Sequence, residues 1–184
     1  SPTSVPCWSM NEAEARTALA SALKVTNNYI ALTHPKSNMF ATVFFAVLDP
    51  STGALDWANC GHEPALILGP DGIRARLESG SPAVGMLADV PFTVRSATRA
   101  AGELLLAFTD GVTEARNAAG ELLGPERFEA LLAAPPASAA ELLDRVERAA
   151  RAHTGAAPQS DDITLLAARR LPPAAAAGGR RIGP

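Results

Sequence analysis

Leu104-Leu105-Leu106-Ala107-Phe108-Thr109-Asp110-Gly111-Val112-Thr113-Glu114-Ala115 is an apolar run that stops abruptly at an Asp-Gly pair. More than fifty residues later, Gln159-Ser160-Asp161-Asp162-Ile163-Thr164-Leu165-Leu166 does the reverse, an acidic pair opening an apolar run. Short apolar runs bounded by turn residues read as strands. If both belong to one sheet, Asp110 and Asp161 can sit at the same sheet end. Two carboxylates at a strand end are half of a site for a hard divalent cation.

Working outward, Asn11 and Glu14 form a capping-box-like pair. Ala15, Leu19, Ala22, Leu23, Thr26, Tyr29 and Ile30 then give a helical stripe, which His34-Pro35 ends. Residues 39–48, rich in Phe, Val and Thr, read as a long buried strand. Residues 49–53 are a turn, and 55–60 return to complete a hairpin. Further strands are expected at 65–68, 73–77, 92–97, 103–108 and 163–168. Residues 112–117 read as a short helical turn. Helices are expected at 125–132, with Pro125 at the favoured first position, and from the Ser138 cap to about His153. Phe40, Phe44, Phe45 and Trp57 are expected to share the core. A block of strands with helices before and after it implies an α+β fold. The organisation expected is an irregular segment over 1–10, one domain over 11–171, and a disordered tail over 172–184.

Composition narrows the function classes. With 184 residues, 47% of them hydrophobic, the chain can build a real core. The net charge of −3 and scattered basic residues give no nucleic-acid footprint. No apolar stretch approaches the roughly 18 residues of a membrane span, and the first ten residues do not read as a signal peptide. Cys7 and Cys60 make no disulfide framework, which points to a cytoplasmic setting. No P-loop, dinucleotide fingerprint or Ser-His-Asp order is present.

Six motifs occur in order: Met39-Phe40-Ala41-Thr42, Val47-Leu48-Asp49-Pro50, Ala58-Asn59-Cys60-Gly61-His62-Glu63-Pro64, Pro82-Ala83-Val84-Gly85-Met86-Leu87, the Asp110-Gly111 segment and the Asp161-Asp162 segment. Together they resemble the SpoIIE-like branch of the PPM-type, metal-dependent serine/threonine protein phosphatases over about residues 27–169. The resemblance implies a β-sandwich flanked by helices and a binuclear Mn²⁺ or Mg²⁺ centre. It also implies hydrolysis of phosphoserine or phosphothreonine by a metal-bridging hydroxide, without a phosphoenzyme. In bacterial partner-switching relays the substrate of such domains is often an anti-anti-sigma factor. Asp110 corresponds to the family's metal-ligating Asp, with Gly111 turning the backbone beside it. Asp161 corresponds to the ligand of the last motif, and Asp162 is its neighbour in a supporting position.

One departure accompanies the match. The family opens with a Gly-Asp-Val segment whose Asp bridges both metals, and no such segment is found here, so an N-terminally incomplete domain is expected. Two functions follow: a phosphatase, or a degenerate phosphatase-like module that binds a protein partner. His62 reads as a structural histidine, Glu114 as a solvated carboxylate, and Asn27 and Asn28 as packing or hydrogen-bonding residues on the helix. Substrate protein and oligomeric state are not legible in the sequence.

Overall fold

The computed structural model describes residues 11–33, 39–134 and 136–172. The expectations for residues 1–10 and for the tail beyond 172 lie outside the described residues.

The first helix, α1 (Glu12–Thr33), starts as its sequence requires. The Asn11 side chain accepts from the Glu14 amide at 2.9 Å, and the Glu14 carboxylate accepts from the Asn11 amide at 3.0 Å. These reciprocal bonds satisfy donors the helix cannot use itself. The strands are β1 (Val43–Leu48), β2 (Ala54–Cys60), β3 (Ala65–Gly69), β4 (Gly72–Leu77), β5 (Arg95–Thr98), β6 (Leu104–Phe108) and β7 (Leu165–Arg169). Two further helices, α2 (Gly124–Leu132) and α3 (Ala139–Thr154), lie between β6 and β7. The Ser138 hydroxyl accepts the Glu141 amide at 3.0 Å and caps α3.

Two antiparallel sheets result, β1-β2-β5 and β4-β3-β6-β7. Between them pack Leu55, Trp57, Ala65, Ile67, Leu77 and Leu105. The outer face of the larger sheet is covered by α2 and α3: Leu66, Leu104, Leu106 and Phe108 meet Phe128, Leu132, Leu142 and Val146. Phe108 and Phe128 approach to 4.4 Å between ring centroids, a tilted pair worth about 1 kcal/mol beyond area burial. The other sheet is covered by α1, through Leu19 and Leu23 against Ala58 and Cys60. Strands β3 and β6 therefore have both faces covered, which is why they read as unbroken apolar runs rather than alternating ones.

The expected α+β sandwich is the observed one. Several details differ, among them β5, expected over 92–97 and found at Arg95–Thr98, and β7, expected over 163–168 and found at Leu165–Arg169. Strand β1 begins at Val43, and Met39 and Phe40 are exposed, so the 39–48 reading is too long. Of the expected aromatic core, Phe44 and Trp57 stack at 6.0 Å, whereas Phe40 and Phe45 are exposed. Phe45 points away from the inter-sheet core on an edge strand, and period-2 alternation forbids it to follow Phe44 inward. On α1 the buried row is Ala15, Leu19, Leu23 and Asn27, while Ala22, Thr26 and Tyr29 face outward.

Candidate active site

Antiparallel pairing of β6 with β7 sets the end of one strand beside the start of the other, with Phe108 opposite Leu165. Asp110 follows β6, and Asp161 and Asp162 precede β7; all three are exposed. The pairing continues beyond the strands. The Thr109 amide donates to the Thr164 carbonyl at 3.1 Å. The Thr164 amide donates to Thr109 Oγ1 at 2.9 Å, and that hydroxyl donates to the Asp162 carbonyl at 2.9 Å.

Gly111 closes the gap between the loops. A Cβ there would stand 2.5 Å from the Asp162 carbonyl oxygen and 3.5 Å from the Asp161 carbonyl carbon. Only a residue without a side chain allows this approach. Past Gly111 the chain coils back on itself. The Glu114 amide and the Thr113 hydroxyl both donate to the Asp110 carbonyl, at 2.8 and 3.1 Å. Ser160 Oγ reaches across to the Glu114 carbonyl at 3.3 Å. Asp162 donates its amide to Asp161 Oδ1 at 2.7 Å, so this acidic pair is folded onto itself.

A third acidic residue comes from the other neighbour of β6. Leu66 of β3 lies opposite Leu106, and carrying that alignment outward sets Glu63 level with Thr109. The Glu63 carboxyl is held above the usual carboxylate range, first by burial and then by the negative charge of Asp110, with Glu114 adding to it. Asn59 shapes this turn. Its Oδ1 accepts the His62 amide at 2.9 Å, and its Nδ2 donates to the carbonyls of Leu77 at 3.1 Å and Glu63 at 3.3 Å. His62 Nδ1 lies 3.1 Å from the Glu63 carbonyl.

The structure thus brings Asp110, Gly111, Asp161 and Asp162 to one end of the larger sheet. Thr109, Asn59 and Glu63 had been given no role from sequence. Thr109 carried a signal, a hydroxyl between an apolar run and an Asp-Gly. Glu63 carried none, because only the β3-β6 adjacency brings it to Asp110. A cavity of about 770 Å³ opens between α3 and residues 157–165, and neither Asp110 nor Asp161 lines it.

Mg²⁺ wants six oxygens in near-octahedral array, most of which water can supply. Among the described residues no group of three or more His, Cys, Asp or Glu is placed to hold one ion. Asp110 and Asp161 alone are too few protein ligands for a bridged pair of metals.

Comparison with known proteins agrees with this architecture. The family model described as Stage II sporulation protein E (SpoIIE) matches residues 9–171. The chain is 43% identical to Protein IcfG of Synechocystis sp. over 146 residues, 79% of this chain and 23% of that protein. It is 32% identical to Phosphoserine phosphatase RsbP of Bacillus subtilis over 75 residues, 41% of this chain and 19% of RsbP. The chain therefore spans less than a quarter of each of these curated relatives. Among solved structures, the catalytic domain of the serine threonine protein phosphatase PstP, in complex with 2 manganese ions, matches with a TM-score of 0.66 at 15% identity. That match covers 89% of this chain and 75% of the PstP chain. At such identity the likeness shows the fold, two antiparallel sheets between helices. Family match and fold together establish that the chain belongs to the SpoIIE family of PPM-type phosphatase domains.

Proposed function

We propose that this domain hydrolyses phosphoserine or phosphothreonine in a protein substrate, using a divalent cation held at Asp110 and Asp161. The observation that carries the reading is the convergence of these two exposed aspartates on loops stitched together by Thr109. Bound Mn²⁺ or Mg²⁺ would supply a lowered water pKa and charge to neutralise phosphate oxygens. The chain's own residues present the carboxylates and fix their spacing. Gly111 leaves room for that spacing, and Asp162 supports the turn through its backbone.

A bridged pair of metals would need a further carboxylate beside Asp110 and Asp161. Likeness to RsbP and the resemblance of the motifs suggest an anti-anti-sigma phosphoprotein as substrate and a cytoplasmic setting. Among the described residues no helix is long and apolar enough to cross a membrane.

The test is Mn²⁺-dependent phosphate release from a phosphoserine peptide, by this chain and by the full natural protein, with Asp110→Asn as control. Release abolished by the substitution supports the reading. A full-length protein that is inactive with Mn²⁺ on phosphoserine and phosphothreonine substrates sinks it. It would favour the second reading, a phosphatase-like module that binds a protein partner, which the absence of a third metal ligand among the described residues supports.

A further inference from the structure

Asn27 is the most completely buried polar side chain on α1, with no exposed surface. A carboxamide on a helix needs a specific set of partners to be buried without penalty. Asn27 finds them nearly sixty residues away. Its Oδ1 accepts the Gly85 amide at 2.8 Å, and its Nδ2 donates to the Leu87 carbonyl at 2.9 Å. The same Nδ2 lies 3.1 Å from Asn28 Oδ1, which in turn accepts the Asp89 amide at 3.0 Å, while Asn28 Nδ2 donates to Asp89 Oδ1 at 2.8 Å. Gly85 has φ +91° and sits so close to Ile30 that any Cβ would collide with it. Helix and loop are therefore locked at one separation.

The segment held by Asn27 continues to the candidate site. Just ahead of Gly85, Ala83 lies within 3.5 Å of where a Cβ of Gly61 would stand, and Ser81 bridges Cys60. Ser79 Oγ accepts the Gly61 amide at 3.0 Å, and the Gly80 amide donates to the Asn59 carbonyl at 3.1 Å. Asn59 in turn holds the His62 amide and the Glu63 carbonyl, one strand away from Asp110. An unbroken path of short contacts thus runs from the middle of α1 to the rim of the carboxylate site.

We propose that Asn27 is a positioning residue for the site, setting the place of the 59–63 turn beside Asp110 through residues 79–87. The proposal rests on the phosphatase reading for its meaning, and its physical content can be tested without it. A purely local role for Asn27 would loosen only its immediate partners. A positioning role transmits the loosening to Gly61, His62 and Glu63.

The experiment is amide hydrogen exchange on the full chain, comparing Asn27→Ala and Ser79→Ala with the unsubstituted protein. Ser79 is exposed, so its substitution leaves the fold intact even if Asn27→Ala does not. Expected is faster exchange of the His62 amide, by roughly tenfold, in both variants, with less than the summed effect in the double variant. Exchange changes confined to residues 84–89 in Asn27→Ala, or an unchanged His62 amide in Ser79→Ala, would overturn the proposal. In a full-length protein that turns over, both variants should lower kcat by roughly tenfold or more, as supporting partners of metal sites do. Absence of turnover in the unsubstituted protein counts against the phosphatase reading alone, since the exchange result stands by itself.

Discussion

Thr109 and Thr164 are joined twice, amide to carbonyl at 3.1 Å and amide to hydroxyl at 2.9 Å, just where β6 and β7 hand over to their acidic loops. The same Thr109 hydroxyl donates a hydrogen bond to the Asp162 carbonyl. One side chain thus ties the loop of Asp110 to the loop of Asp161 and Asp162. Thr109→Val keeps the shape and removes the two hydrogen bonds of the hydroxyl. It should lower stability by about 1–2 kcal/mol, from the two backbone groups left without a partner. It should also weaken Mn²⁺ binding, whereas Thr109→Ser should preserve both. Urea unfolding and metal titration by calorimetry check this pair.

Gly111→Ala should be more damaging than its single methyl suggests. The new Cβ would meet the Asp162 carbonyl at 2.5 Å, and backbone cannot swing aside as a flexible side chain does. The loops must separate, at about 1–3 kcal/mol. Thermal unfolding gives the stability loss, and Mn²⁺ protection against unfolding should vanish in the same variant.

Asp110→Asn and Asp161→Asn should behave in the opposite way. Both residues are exposed, and removing one charge should change stability by no more than roughly 0.5 kcal/mol. Mn²⁺ binding should be lost in each. A large stability loss with retained metal binding would show that these aspartates are structural.

Glu63 carries a pH signature. Its carboxyl is raised in the folded protein by burial and by Asp110, so the folded state holds that proton more tightly than the unfolded chain does. The contribution is favourable below the ordinary value of 4.5 and is lost as pH rises through the folded value. Glu63→Gln should therefore gain stability over the unsubstituted protein between pH 4 and pH 7, read as a urea midpoint difference that grows with pH. A difference independent of pH would refute the raised Glu63 carboxyl.

Glu103, 5% exposed, accepts from Arg74 at 2.5 and 2.9 Å and from the Ala100 amide at 2.7 Å at the other end of the sandwich. Nearby Arg99 is 1% exposed, and burial and Arg170 hold its guanidinium below the usual arginine range. Glu103→Ala would leave that region with positive charge alone; the Arg74 side chain is 44% exposed and can be solvated, so the loss is about 1–3 kcal/mol, read in chemical unfolding.

Much of this protein was legible one residue at a time. The Asn11–Glu14 box, the Ser138 cap and the apolar runs of β3 and β6 are local, because capping and burial on both faces are written in short spans. The six ordered motifs likewise pointed to the family before any coordinate. Other features depend on which strands are neighbours, and no local rule carries that information. The β3-β6-β7 order sets Glu63 and Asp161 on either side of Asp110, and the placement of α1 on β2 gives Asn27, read from sequence only as a packing or hydrogen-bonding residue, its specific partner in Gly85. The sequence by itself determined the elements, the family and the two aspartates. Tertiary structure alone decided their surroundings, because antiparallel pairing brings together residues that lie far apart along the chain, Leu66 with Leu106 and Phe108 with Leu165.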